Sequence, residues 1–282
     1  MGTARAVVHA ADYGGSYPGN FVASLRSLAG PCRELGLRLV LAFSARADGA
    51  RPPWMDALRD DGIPVHVIDR RGSLRERARA IGEVVRAEDA AILHTHFTRW
   101  DVPGLLAGVR TDAAVLWHLH SPFPERGSLG YVARTAVKLR LLGRRARIAA
   151  VSQRILADAL RLGFPAGRAV FVPNAIDLDH ATRGREDGAG LRRRLGLPPS
   201  ATVGLAFGWE PPRKGIDLAL EAFGVLAAEG REVGLVVVGT EALAAFVRDR
   251  YGAAPPAWLR VLPPRERVGE LYGAADVFLS AS

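Results

Sequence analysis

The chain has 282 residues, 49% of them apolar, enough for one large domain or two moderate ones with a packed core. Its formal charge of +9 is carried almost wholly by Arg, since Lys138 and Lys214 are the only lysines. With Ala and Gly abundant, that bias reads as the colour of a GC-rich coding sequence; no aromatic-plus-basic interleaving and no helix-turn-helix, zinc or RNA-binding signature is present, so nucleic acid is not an expected partner. The single cysteine, Cys32, excludes disulfide frameworks and cysteine-based zinc sites. The N-terminus lacks the apolar core of a signal peptide, and no apolar run approaches the ~20 residues of a membrane span, so a cytoplasmic protein is expected.

Short apolar runs alternate with helical-period segments along the whole chain. Strands are predicted over Ala6–Ala10, Arg38–Phe43, Val65–Ile68, Ala91–Thr95, Ala114–Leu119, Arg147–Val151 and Ala169–Val172. Four more follow, over Thr202–Phe207, Gly234–Val238, Leu259–Leu262 and Asp276–Leu279. Runs that are apolar on both faces suit parallel strands covered by helices, and the alternation predicts an α/β chain with parallel sheets. The polar, Gly-rich stretch 177–190 interrupts the pattern. It divides the chain into a Rossmann-like domain over 1–176, a linker, and a second Rossmann-like domain over 191–282.

The chemistry-bearing residues collect at strand ends. Gly14 and Gly15 follow the first strand, where the absence of side chains lets backbone N–H groups approach an anion or simply permits a tight turn. His94 and His96 end one strand and His118 and His120 another, at the carboxyl edge where open α/β sheets bind ligands. Two H-x-H strand ends invite a metal. No carboxylate accompanies them at ligand spacing, so no metal is expected; a hydrogen bond from His120 to a polar substrate group and satisfied structural imidazoles both stay open. Residues 126–147 are strongly basic, with Arg134, Lys138 and Arg145 on one helical stripe, which fits either a helix lying on anionic lipid or a solvated helix. Asn174, past the seventh strand, either satisfies the domain junction or faces the ligand.

The most informative segment is Ala201–Phe223: a buried strand, the turn Gly208–Pro212, the triplet Arg213-Lys214-Gly215, then an amphipathic helix. Such a turn aims the free N–H groups of a helix N-terminus, and the Lys214 ammonium, at whatever lies above the sheet edge. This predicts a diphosphate clamp.

Taken in order, several landmarks make the chain resemble the retaining, nucleotide-sugar-dependent glycosyltransferases of family 4, which have the GT-B fold of two Rossmann-like domains facing a cleft. They are the Gly14-Gly15 loop, HTHF with His96, LWHLHS with His120, AVS at 150–152, VPNAID, LRRRLGLP, FGWEPPRKGIDLALEAF, LVVVG ending at Gly239, and LYGAADVFLSAS. The resemblance implies an acceptor-binding first domain and a donor-binding second domain. Lys214 would hold the donor diphosphate, His120 would stand by the donor sugar, and Gly14 and Gly15 would bring N–H groups to the phosphates. Arg213 and Trp209 would border the clamp, Gly239 and Glu241 with Val261 and Leu262 would lie near the base, and His96 and Asn174 would line the cleft. The implied partners are a nucleotide-diphosphate sugar and a glycan or lipid-linked acceptor of the cell envelope. No cofactor and no essential metal are implied, and contact through 126–147 would place the chain at the inner face of the plasma membrane.

Two departures stand out. Trp209 occupies the position where the family usually has Arg, and the chain ends at Ser282, before the pair of glutamates that follows in the family, so the second domain is expected to be incomplete. The rival readings are a truncated, non-catalytic nucleotide-binding module and a sugar-nucleotide epimerase.

Overall fold

The computed structural model describes residues 5–15, 17–45, 49–123, 129–265 and 267–281. The chain divides into two compact units, Met1–Ile176 and Asp177–Ser282.

The first unit runs β1 (Ala6–Ala11), α1 (Gly19–Ser27), α2 (Ala29–Glu34), β2 (Arg38–Ser44), α3 (Trp54–Asp60), β3 (Val65–Ile68), α4 (Leu74–Ala87), β4 (Ala90–His96) and α5 (Asp101–Thr111). It continues with β5 (Ala114–Leu119), α6 (Leu129–Val137), β6 (Ala146–Ala150), α7 (Gln153–Arg161) and β7 (Ala169–Phe171). All pairings are parallel, and the sheet order is β3-β2-β1-β4-β5-β6-β7. Period-two alternation sends neighbouring residues to opposite faces. Val8, Val40 and Leu93 pack with Ile81 and Val85 of α4 on one face, while Leu39, Leu41 and Phe43 pack with Val22, Leu25, Met55 and Leu58 on the other. Each large apolar side chain so buried contributes roughly 1.5–3 kcal/mol. The start of α4 is fixed by a capping box: Ser73 Oγ accepts from the Glu76 N–H, and the Glu76 carboxylate accepts from the Ser73 N–H.

The second unit comprises α8 (Leu178–Thr182), α9 (Gly188–Arg194), β8 (Thr202–Phe207), α10 (Ile216–Ala228), β9 (Val233–Val238), α11 (Glu241–Tyr251), β10 (Leu259–Leu262), α12 (Val268–Ala274) and β11 (Val277–Leu279). Its parallel sheet has the order β10-β9-β8-β11. Leu205, Val236 and Val238 pack with Leu191 and Leu271 on one face; Ala206, Leu235 and Val237 pack with Ile216, Leu220, Phe223 and Leu243 on the other. The stretch 177–190 holds α8, a 3₁₀ turn over Arg185–Asp187 and the start of α9. It belongs to this unit. Arg192 Nε donates to the Ala274 carbonyl at 2.7 Å, Arg194 pairs with Glu270 at 2.9 Å, and Arg267 pairs with Asp187 at 2.6 Å.

Each sheet reverses its winding at one place, between β1 and β4 in the first unit and between β8 and β11 in the second. The crevice outside the carboxyl ends of the strands at such a switch point is where open α/β sheets bind ligands.

Candidate functional site

At the first switch point five imidazoles stand together. The register sets His9 of β1 beside His94 of β4, and His96 beside His118 of β5. Since residues two apart share a face, His94 with His96 and His118 with His120 line up along it. His9 Nδ1 lies 2.9 Å from His96 Nε2, His96 Nδ1 lies 3.0 Å from His120 Nε2, and His94 Nε2 lies 3.2 Å from His118 Nδ1. Burial pushes His9 down to about 3, with the neighbouring His118 adding to the shift. His118 and His120 are both pushed down to about 4 by burial. Burial and the surrounding imidazoles hold His94 and His96 well below the usual histidine range. At neutral pH the cluster is therefore uncharged.

Aromatic rings wall His120. Phe97 lies 4.9 Å and Phe21 5.5 Å from it between ring centroids. Phe97 follows His96 directly and has φ +67°, a strained backbone for a bulky residue, of the kind that clusters at ligand clamps. Gly14 is required by close approach: a Cβ there would lie 2.6 Å from the Ser44 carbonyl oxygen and 2.7 Å from that of Ala45. Gly15 has room, and its carbonyl accepts the Trp54 indole N–H at 2.9 Å. Asp12, between β1 and this loop, accepts from Ser44 Oγ at 2.7 Å and pairs with Arg99 at 3.0 Å and Arg70 at 3.3 Å.

Lys138 does not belong to an outward basic stripe. Its Nζ lies 2.6 Å from Asp101 Oδ2 and 5.1 Å from the Trp117 ring centroid. Asp101 has no exposed surface; burial pushes its carboxyl up, opposed by the Lys138 ammonium. The helix also breaks there, α6 giving way to a π-helical turn over Lys138–Leu142 and a 3₁₀ turn over Gly143–Arg145. Arg140, Arg144, Arg145 and Arg147 remain exposed, with Val137 and Leu141 among them. Residues 124–128 at the head of this basic segment, and the side chain of Arg134, lie outside the described residues, as does Ser282. Asn174 is exposed, three residues past the end of β7.

At the second switch point, Lys214 lines a cavity of about 200 Å³ with Phe207 and Trp209 from the end of β8 and Phe278, Leu279 and Ser280 from the end of β11. Trp209 lies parallel to Phe207, centroids 6.3 Å apart. Arg213 is held by Glu210 through two bonds, Nε to Oε2 at 2.7 Å and Nη2 to Oε1 at 2.9 Å, so its charge is offset locally. Among the described residues Lys214 has no ion-pair partner. Gly215 caps α10 with φ +63°, and a Cβ there would lie 2.6 Å from the Ala281 Cβ, so glycine alone permits the close turn. Gly239 ends β9 against the Gly208 carbonyl. Glu241 opens α11 and pairs with Arg248 at 3.3 Å, while Val261 and Leu262 end β10 half-buried. Lys214, Gly239, Glu241, Val261 and Leu262 thus gather at one sheet edge, and His96 and His120 at the other unit's edge.

Three features of the site were not read from the sequence. His9 is a lone histidine in an apolar strand; only the neighbouring of β1 and β4 reveals it. The Asp12–Arg70–Arg99 group joins three separate loops, and the Phe97 strain leaves no mark in residue type.

The model of the family described as Glycosyltransferase Family 4 matches residues 22–180. A D-inositol 3-phosphate glycosyltransferase of Xylanimonas cellulosilytica is 28% identical over 273 residues, covering 83% of this chain. The chain spans 63% of that relative's length. Among solved structures, Anabaena Alr3699/HepE in complex with UDP and glucose superposes with a TM-score of 0.76 at 22% identity, over 99% of this chain and 74% of that one. A glycosyltransferase from Rickettsia africae gives 0.71 at 16% identity, over 99% and 73%. At these identities the structural likenesses speak for the fold.

Proposed function

The chain belongs to Glycosyltransferase Family 4, with the α/β GT-B fold, and from that premise we propose that it transfers a sugar from a nucleotide-diphosphate donor to an acceptor hydroxyl. The observation that carries the reading is Lys214: an ammonium without an ion-pair partner among the described residues, lining a cavity at the switch point of the second sheet. In this reading the second unit takes the donor. Lys214 and the N-terminus of α10 hold the diphosphate, Trp209 and Arg213 border it, and Gly239, Glu241, Val261 and Leu262 receive the base. The first unit takes the acceptor, with His120 beside the donor sugar, Gly14 and Gly15 offering backbone N–H groups to the phosphates, and His96 and Asn174 as further lining.

The difficult step is loss of the nucleoside diphosphate as an oxocarbenium-like centre forms. Without a metal, charge on the leaving group falls to fixed cations and a helix N-terminus; preorganised donors of this kind are worth about 10²–10³ in rate each. Attack by the acceptor on the face the diphosphate leaves would retain configuration. A lipid-linked or envelope glycan is the proposed acceptor class. The exposed Arg140, Arg144 and Arg147 with Val137 and Leu141 would meet anionic lipid at the inner membrane face. No described helix is long and apolar enough to cross a membrane.

A thermal-shift series with UDP, GDP and ADP sugars tests the donor reading, beginning with UDP-glucose because a fold neighbour was solved with it. A specific donor at a hundred times its Kd adds about 2.7 kcal/mol. A rise in Tm with one nucleotide class and not the others is expected; no rise with any would count against the enzyme.

A further inference from the structure

The imidazole contacts of the first unit have a direction. His9 and His96 have ring centroids 5.2 Å apart with N···N 2.9 Å, and His96 and His120 have centroids 5.3 Å apart with N···N 3.0 Å. In both cases the centroid separation is the N···N distance plus one ring radius at each end. The rings therefore meet head-on, nitrogen lone pair against N–H. The head-on approach is that of an N–H···N hydrogen bond; the same rings also form two trios, His9, His94 and His96, and His96, His118 and His120, whose nitrogens lie within 4.8 Å of one another, so bound zinc is the competing outcome of the test.

A neutral imidazole has one N–H and one lone pair. His96 uses both its nitrogens in the chain, so the protons of all three rings must point the same way, inward to His9 or outward to His120. An inward chain would end in an N–H on Nε2 of His9, which is 3% exposed. An outward chain ends in an N–H on Nδ1 of His120, at the less buried end, where water or a ligand can accept it. Leaving the terminal N–H on a ring that solvent reaches costs less than leaving it on one 3% exposed, so the outward direction is favoured.

We propose that His9, His96 and His120 form a one-directional imidazole chain that holds His120 as its Nδ1–H tautomer, a neutral donor presented to a ligand oxygen. His9 and His96 are positioning residues. The low protonation range of all three keeps the chain uncharged at pH 7, and the groups packed around it, His94, His118, Phe21 and Phe97, carry no charge there either. A neutral donor suits a sugar hydroxyl better than a phosphate, which would favour imidazolium. The hydroxyl assignment rests on the proposed sugar-transfer reading; the tautomer does not.

Long-range proton–nitrogen correlation spectra of the full ¹⁵N-labelled chain at pH 7, assigned with His9→Gln, His96→Gln and His120→Gln, read the tautomers without any substrate. The proposal expects a protonated Nδ1 and a bare Nε2 on all three rings. Protonated Nε2 on His120, averaged nitrogens on His120, or stoichiometric zinc in the purified protein would overturn it. In His96→Phe, His120 should move to averaged nitrogen shifts, whereas in His94→Phe it should not; an unmoved His120 in His96→Phe also overturns the chain. Should His96→Phe fail to fold, the wild-type spectrum decides. A correct tautomer in a protein that binds no sugar nucleotide would leave the chain standing and remove the transfer reading.

Discussion

Lys138 lies in the first unit with its ammonium 2.6 Å from a fully buried carboxylate and above an indole ring, while Lys214 in the second unit lines an open cavity without an ion pair among the described residues. The same contrast extends to their surroundings. Around the first switch point most polar groups bond one another: imidazole bonds imidazole and Asp12 is held by two arginines, with His118 Nε2 the buried exception, and the histidine cluster is neutral. Around the second, the Lys214 ammonium makes no ion pair among the described residues and stands where a helix N-terminus also points. A charge committed internally serves the fold, and a charge left without a partner serves an anion.

Substitutions around the two lysines test this contrast. The largest stability effect is expected from Lys138→Met. Removing one partner of a buried pair strands the other, at a cost of about 3–5 kcal/mol. Urea unfolding should show it, and adding Asp101→Leu should recover most of the loss. A single variant as stable as wild type would mean that the pair carries no structural weight.

Next comes Gly215→Ala. A Cβ at φ +63° costs about 1–2 kcal/mol from conformation alone, before its contact with Ala281. A lower Tm with weaker nucleotide binding is expected; an unchanged Tm would show that the turn relaxes freely.

Acid sensitivity separates the units further. His9, His118 and His120 titrate at about 3–4 when folded, against about 6.5 in an unfolded chain. Between those values the unfolded state binds more protons, so stability is complete above about pH 6.5 and falls as pH drops toward 4. Unfolding midpoints from pH 7.5 to 4.5 should decline over that window, and His9→Gln should flatten the slope. A curve level down to the carboxylate range would contradict the buried neutral cluster.

The smallest effect is expected from Glu210→Gln. Its exposed pair with Arg213 is worth about 0–1 kcal/mol, so Tm should barely move. Released Arg213 should tighten nucleotide diphosphate binding about twofold, for a gain near 0.4 kcal/mol. Weaker binding would show that Glu210 itself supports the ligand.

The inner strands were legible because parallel strands buried on both faces leave continuous apolar runs, as in Val236–Val238 and Leu39–Phe43; the exposed edge strands β7 and β11 were legible from their apolar residues and their place in the alternation. The stretch 177–190 was less so: its helices are short and polar, and they are held from far along the chain, Asp187 by Arg267 and Arg194 of α9 by Glu270 of α12. Lys138 was misread for a similar reason. A helical stripe counts neighbours on one element, whereas its partner Asp101 stands 37 residues away. His94, His96, His118 and His120 could be placed at strand ends because strand carboxyl edges are visible in sequence. The hydrogen bonds among them depend on β1, β4 and β5 lying side by side, which follows from the winding of the sheet and not from any local pattern.

The central claim is that Lys214 holds a nucleotide diphosphate. Calorimetric titration of UDP into the full chain and into Lys214→Ala tests it most directly. A charge-assisted contact to phosphate is worth about 1.5–3 kcal/mol, so the variant should bind roughly ten- to a hundredfold more weakly, with an unchanged unfolding midpoint. Equal affinity in the two proteins would contradict the account.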